Sequence, residues 1–327
     1  MKKGNYLFIM TLITSTMITL SANNWIGMWI GLEINMMSFI PLILSNSNKS
    51  STEAAMIYFL TQSVSSMLLM MMVLILMCKY LIPKSMINSI IMISIFIKLG
   101  AAPFHMWMPK IMAKMEWSKC AILMTWQKMA PLFMISNIYN NNFIMNIIII
   151  MSVSIGSLGG LNQTSLRKMM AYSSINHLGW MLSINKFMNL WMIYLLIYSA
   201  MTLSMCYLFY NYKLNFINQM SSVFMNNNEK ISLFIMMLSM GGLPPFIGFL
   251  PKWITIQMLI QEQEIFITLI MVMFSLVTLM FYLRVMTNMY LSFSSSIKWS
   301  LNYFSYSTMM IMMINLSLPV IVIMDVI

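Results

Sequence analysis

Lys98-Leu-Gly-Ala-Ala-Pro-Phe-His-Met-Trp-Met-Pro-Lys110 decides how this 327-residue chain folds, because its spacing returns 142 positions later. Gly100, Pro103, Phe104, Pro109 and Lys110 follow G-x-x-P-F-x-x-x-x-P-K, and so do Gly242, Pro245, Phe246, Pro251 and Lys252. Each copy lies in an apolar segment, 85–115 and 230–260, that is longer than the ~20 residues a straight membrane helix needs. Proline removes a backbone donor and clashes with the preceding turn, so each segment is expected to be a broken helix. Carbonyls and amides freed in hydrocarbon are costly unless protein or a wet cavity satisfies them. Interrupted segments at matching places in two halves of a chain point to a transport pathway.

Composition sets the class. Hydrophobic residues make up 60% of the chain, charged residues 8%, and the mean hydropathy is +0.82. A soluble domain carries about 25% charged residues, so the chain is expected to be an integral membrane protein. The net charge of +11 then reflects orientation in the membrane rather than nucleic-acid binding. Cys78, Cys120 and Cys206 are scattered and fit no zinc, iron–sulfur or disulfide framework. With two histidines in all, a haem or metal cage is not expected. The 46 methionines exceed what flexible core packing asks for and point to coding bias, such as a genome that reads AUA as methionine.

The apolar runs are 6–20, 25–44, 54–77, the broken 85–115, 120–138, 143–161, 169–184, 190–210, the broken 230–260, 265–285 and 309–324. The first run follows Lys2-Lys3, and a cleaved signal peptide is its alternative. The second carries Gly27-x-x-x-Gly31, a close-packing pattern. Eleven spans are thus expected, and the charges test them. With Lys98, Lys128 and Lys252 left inside the membrane, the N-terminal side receives Lys2, Lys3, Lys49, Lys110, Lys114, Lys119, Arg167, Lys168, Lys213, Lys230, Arg284 and Lys298. The other side receives only Lys79, Lys84 and Lys186. This is a strong positive-inside bias.

The motif copies fall in spans four and nine, which cross the membrane in opposite directions. The expected fold is therefore an all-α polytopic bundle of about eleven transmembrane helices. It forms one domain over 1–327, with an inverted-topology repeat of about 6–138 against about 143–285 and a broken helix in each half.

Ionisable groups within spans cost ~2.5–3.5 kcal/mol each at mid-membrane, and they mark function by default. Glu33, Lys98, Lys128 and Lys252 stand out. A Glu33–Lys98 pair is expected to act as a switch: the lysine holds its proton while the carboxylate is near and loses it when the carboxylate swings away. A static pair that only fixes packing is the alternative. For Lys252 the alternative is a lysine snorkelling from a helix end. His105 and His177 can relay protons near neutral pH or serve as hydrogen-bonded packing groups. Ser173 and His177 share a helix face. Lys110 is expected at the interface, and Glu262 and Glu264 on a solvated edge.

Beyond the repeat itself, the stretches Gly160-Leu-Asn-Gln-Thr-Ser-Leu-Arg-Lys168, Ser173-Ser-Ile-Asn-His-Leu-Gly-Trp180 and Gly241-Gly-Leu-Pro-Pro-Phe-Ile-Gly-Phe-Leu-Pro-Lys-Trp253 carry a family likeness. With Trp25-Ile-Gly-Met-Trp-Ile-Gly-Leu-Glu33 and Thr125-Trp-Gln-Lys128, they make the chain resemble the antiporter-like subunit 2 family of animal mitochondrial NADH:ubiquinone oxidoreductase, respiratory complex I. The likeness runs over essentially the whole chain and is least distinctive after about residue 288.

The resemblance implies two inverted five-helix repeats, and the loss of three N-terminal helices in animal members agrees with eleven spans. It implies a proton relay of Glu33, Lys98, Lys128 and Lys252, with His105 and His177 in the central polar axis. It implies a membrane-arm role that couples NADH oxidation and ubiquinone reduction to proton translocation, with no redox chemistry and no cofactor on this chain. NADH, FMN, iron–sulfur clusters and ubiquinone would be handled by other subunits of the complex. Its partners would be other membrane-arm and accessory subunits and membrane lipid, cardiolipin above all, with no nucleic acid. Its place would be the mitochondrial inner membrane, with the N-terminus on the matrix side. Lys98 and Lys252 occupy different places relative to the shared motif, so the repeat does not equate them. A stand-alone cation/proton exchanger, stable and active when purified alone, and a purely structural membrane-arm scaffold remain the rival functions.

Overall fold

The computed structural model describes residues 3–45, 48–78, 83–138, 142–222, 227–290 and 306–319. These form α1 (Lys3–Ser21), α2 (Trp25–Leu44), α3 (Lys49–Met77), α4 (Lys84–Leu99), α5 (Trp107–Lys114), α6 (Trp117–Met124) and α7 (Met129–Ile138). They continue as α8 (Asn142–Leu161), α9 (Leu166–Ser183), α10 (Met188–Asn211), α11 (Gln219–Ser222), α12 (Asn227–Gly241), α13 (Phe249–Gln261), α14 (Ile265–Tyr290) and α15 (Tyr306–Asn315). Among the described residues the only extended pairing is an isolated antiparallel bridge between Ser165 and Phe216. Six of these helices are long and apolar enough to cross a membrane: α1, α2, α3, α8, α10 and α14. Lys2, Lys79 and Lys298 of the charge test, and residues 320–324 of the last apolar run, lie outside the described residues.

Both motif copies stop a helix in the same way. Gly100 has φ +70° and Gly242 φ +79°, a left-handed conformation that glycine adopts without a Cβ penalty. Gly100 N–H donates to the Ile97 carbonyl at 3.2 Å and Ala101 N–H to the Phe96 carbonyl at 3.1 Å. In the second copy Gly242 N–H donates to Ser239 at 2.9 Å and Leu243 N–H to Leu238 at 3.3 Å. This paired bonding is the Schellman termination, which satisfies carbonyls that a helix end releases. Pro109 and Pro251 are each the third residue of the following helix, α5 and α13. There a missing N–H costs nothing, because the first four amides of a helix have no partner within it.

The stretch 120–138, expected as one span, is divided. α6 stops at Met124, a 3-10 turn runs Trp126–Lys128, and α7 resumes at Met129. Pro131 explains the restart, since it cannot donate to the Gln127 carbonyl four residues back. The Thr125 hydroxyl adds a bond to the Ala121 carbonyl at 2.7 Å, beside the Thr125 amide bond to the same oxygen.

Small residues bring helices close where no bulk would fit. A Cβ on Gly31 would lie 2.4 Å from Thr19 Cγ2 and 3.0 Å from the Ser15 carbonyl, so the Gly27-x-x-x-Gly31 face packs on α1. Gly156 and Gly179 do the same between α8 and α9. The residues of α9 are almost all buried, as expected of a helix at the centre of a bundle. It positions the site described below.

Contacts between the ends of segments tie the bundle together. Lys114 pairs with Glu53 and Lys186 with Glu262. Trp117 Nε1 donates to the Leu214 carbonyl at 2.9 Å, and the Arg284 guanidinium donates to the carbonyls of Leu161 and Gln163. Glu262 is thus paired rather than simply solvated.

The loop after α12 approaches that helix so closely that a Cβ on Gly248 would lie 1.7 Å from the Ser239 carbonyl oxygen. A Cβ on Gly241 meets nothing nearer than 3.6 Å. Gly248→Ala is expected to destabilise by about 1–3 kcal/mol through overpacking, while Gly241→Ala is tolerated. Thermal melting of the solubilised protein with each variant checks the contrast, and equal melting temperatures would contradict it.

Candidate functional site

The breaks place three lysines inside the bundle. Lys98 is 6% exposed, Lys128 2% and Lys252 4%, each far below what a free lysine keeps in water. Lys98 sits in the last turn of α4, just before the Gly100 termination. Lys128 closes the 3-10 turn between α6 and α7. Lys252 lies in the first turn of α13. Its counterpart in the first motif copy, Lys110, is exposed.

One cavity joins Lys98 to Lys128. Leu32, Asn35 and Met36 of α2, Tyr58 and Gln62 of α3, and Gln127 help to line it. Gln62 Nε2 donates to the Lys98 carbonyl at 3.2 Å. Gln127 Nε2 donates to Asn35 Oδ1 at 2.8 Å, and the Tyr58 hydroxyl donates to Gln127 Oε1 at 3.4 Å. Among the described residues Glu33 makes no ion pair with Lys98. Its Oε1 is buried without a hydrogen-bond partner, and its charge acts on Lys98 through space. Helix geometry explains the offset. Leu32, Asn35 and Met36 share the cavity-facing stripe, and Glu33 stands about 100° round the helix from Leu32.

From Lys128 the polar groups continue across α9. Lys128 Nζ donates to the Ser174 carbonyl at 2.9 Å and lies 4.8 Å from the Tyr198 ring centroid, within cation–π range. Tyr198 also lies 5.0 Å, centroid to centroid, from the His177 imidazole. His177 Nδ1 is hydrogen-bonded to the Tyr194 hydroxyl at 2.9 Å. The charges of both Lys252 and Lys128 act on His177. Lys252 Nζ donates to the Gly241 carbonyl at 2.7 Å and lies 5.8 Å from the Trp180 ring centroid. A Cβ on Gly242 would meet that same Nζ at 2.7 Å, so the lysine folds back over the break it follows.

Of the six residues expected from sequence, Lys98 and Lys128 share one cavity and Lys128 and His177 meet at the Tyr198 ring, while Glu33 and Lys252 are related to these groups by charge alone. His105 belongs to the connection between α4 and α5, where Nδ1 lies 3.2 Å from the Pro103 carbonyl and the ring faces Tyr172. Ser173 donates to the Met170 carbonyl at 2.8 Å, and it is Ser174, through its backbone, that receives Lys128. Sequence reasoning missed Asn35, Gln127, Tyr58, Tyr194 and Tyr198. The first two carried a usable signal, being amides within apolar runs beside Glu33 and Lys128.

Together, buried lysines at helix breaks and a polar succession through an apolar bundle define a membrane protein of the ion-translocating type. The chain belongs to the NADH:quinone oxidoreductase/Mrp antiporter transmembrane family, whose model matches residues 22–280. It is 47% identical to NADH-ubiquinone oxidoreductase chain 2 of Anopheles gambiae, over 92% of this chain and 90% of that one. It is 44% identical to the same-named chain of Aedes aegypti, over 92% and 90%. In fold it is similar to a chain of respiratory complex I from Thermus thermophilus, with a TM-score of 0.81 at 18% identity over 94% of this chain and 75% of that one.

Tyr194→Phe removes the hydroxyl that His177 bonds and leaves a buried ring nitrogen without it. The expected cost is about 1–3 kcal/mol, read as a lowered melting temperature, with no loss of assembly. An unchanged melting curve would mean that the His177–Tyr194 bond contributes nothing.

Proposed function

We propose that this chain is a core membrane-arm subunit of mitochondrial complex I and couples NADH oxidation and ubiquinone reduction to proton translocation. The observation that carries this is the set of buried lysines at helix breaks, with Lys98 and Lys128 in one cavity and Lys128 and His177 meeting at Tyr198, in a chain of this family. The names of its relatives and its likeness in fold to a complex I chain support the same assignment. Electron transfer takes place on other subunits, which hold the complex's cofactors, and this chain does no redox chemistry. Its partners are the neighbouring complex I subunits and inner-membrane lipid, including cardiolipin.

In this mechanism a charge change in the neighbouring part of the membrane arm shifts Glu33 relative to Lys98. A buried lysine that loses a nearby carboxylate releases its proton, and protonation moves through Lys128 and His177 to Lys252. His105 joins at the side of this route. Each proton moved against ~100 mV requires ~2.3 kcal/mol. A protonation change at any of these desolvated sites is of that order, since one pKa unit corresponds to about 1.4 kcal/mol.

The finer topology in this proposal is eleven spans, an inverted repeat of about 6–138 against about 143–285, and an N-terminus on the matrix side. Contacts between segment ends support it. Glu53 and Lys114 fall on one side of an eleven-span chain, as do Trp117 and Leu214, and Arg284 and Leu161. Lys186 and Glu262 fall together on the other. One helix too many or too few between such partners would separate them by the thickness of a membrane.

Lys98→Met and Glu33→Gln are each expected to depress NADH:ubiquinone turnover and proton pumping in inner membranes where the complex still assembles. Normal turnover with a normal proton yield in both variants would leave the chain as a scaffold. Exchange activity of the purified chain alone would favour an autonomous exchanger.

A further inference from the structure

The cavity that Lys98 and Lys128 share is lined by a hydrogen-bonded chain of three side chains. Tyr58 of α3, Gln127 of the 3-10 turn and Asn35 of α2 are joined by bonds of 3.4 and 2.8 Å, and all three line the cavity that the two lysines share. Both ends of the chain are packed in the bundle. Tyr58 packs edge-on against Phe39, with centroids 5.1 Å apart, and against Trp107 at 6.2 Å. Asn35 is buried on α2 at 3% exposure. Gln127 is held differently. It stands in a three-residue 3-10 turn between two short helices, and 3-10 stretches within a helix often mark hinges. Its backbone neighbour is Lys128, so a turn of that hinge moves the lysine and the amide together.

We infer that the Tyr58–Gln127–Asn35 chain is a gate between Lys98 and Lys128, with Gln127 as its moving part. The inference rests on the proton route proposed above. When this hydrogen-bonded chain is closed, the Gln127 amide has one contact on each side, both to protein, and presents no group that relays a proton. When Gln127 leaves Asn35, its amide and the Asn35 carbonyl turn to water, which then links the two amines. The transfer breaks one N–H bond on the Lys98 ammonium and forms one on the Lys128 amine, and the linking water accepts one proton as it gives up another. The polar lining satisfies such water, which an apolar constriction would not. Gln127 and Tyr58 are positioning residues here, because they control when the route is continuous and hold no transferred proton.

The test uses the intact complex in sealed inner-membrane vesicles, with Gln127→Ala, Tyr58→Phe and Lys128→Met compared with the native chain. Proton yield per NADH and the restraint of turnover by the membrane potential are measured alongside turnover itself. Loss of the gate is expected to lower proton yield and weaken that restraint while turnover persists, in Gln127→Ala and, more mildly, in Tyr58→Phe. A merely structural role would lower turnover and assembled amount together and leave the yield per NADH unchanged, which overturns the gate. If Gln127→Ala does not assemble, Tyr58→Phe decides, since it keeps the packed ring and removes only the hydroxyl. Lys128→Met separates the two ideas. Normal yields in the gate variants with coupling lost in Lys128→Met overturn the gate alone, and normal behaviour in all three overturns the proton route as well.

Discussion

A carbonyl released by a helix break inside an apolar bundle must find a donor, and the rest of this structure follows from how it does so. At the first break the Schellman bonds of Gly100 and Ala101 satisfy two of them, and Trp107 Nε1 reinforces Ile97 at 3.1 Å. The Lys98 carbonyl is taken by Gln62. At the second break the donor to Gly241 is the Lys252 ammonium itself. Lys128 likewise spends a bond on the Ser174 backbone of α9. Lys128 and Lys252 are therefore fastened by main-chain oxygens rather than by carboxylates, and a bond to a neutral oxygen holds a lysine in place without fixing its protonation state.

The two motif copies illustrate how one backbone device supports different chemistry. Left-handed glycine, Schellman termination and a proline in the next helix's first turn recur at both breaks. The side chains laid over the two breaks do not. An indole covers Gly100, with a Cβ there 3.1 Å from the Trp107 ring, and an alkylammonium covers Gly242. Consequently the first copy leaves its motif lysine, Lys110, outside and supplies Lys98 from the helix before the break.

Much of this was legible in the sequence, because hydrocarbon punishes exceptions. Gly100, Gly242, Pro109 and Pro251 announced the breaks, and Lys98, Lys128 and Lys252 could be picked out as charges within apolar runs. The Gly27-x-x-x-Gly31 face and its close approach to α1 followed from residue size. What escaped was set by rotation and by three-body geometry. Glu33 is adjacent in sequence to the cavity-facing stripe yet stands at its flank, a matter of helix phase. The interruption at residues 125–128 left only Pro131 as a trace, and one proline near the middle of an apolar run reads equally well as a kink. Asn35, Gln127 and Tyr58 come from three separate elements, and no spacing rule joins residues 92 positions apart.

The short helices around the breaks also bear on how the protein is made. At 1.5 Å per residue, the eight residues of α5 or of α6 rise only ~12 Å, well short of a hydrocarbon layer ~30 Å thick. Neither segment can settle in lipid as an independent unit, since its open ends would leave peptide groups unsatisfied. The long helices α1, α2, α3, α8, α10 and α14 can partition singly. Helix length thus predicts two stages of insertion: a frame of autonomous helices first, then docking of the shorter segments that hold the lysines. The three buried lysines enter with segments that lipid does not hold alone, whereas Glu33 enters with α2.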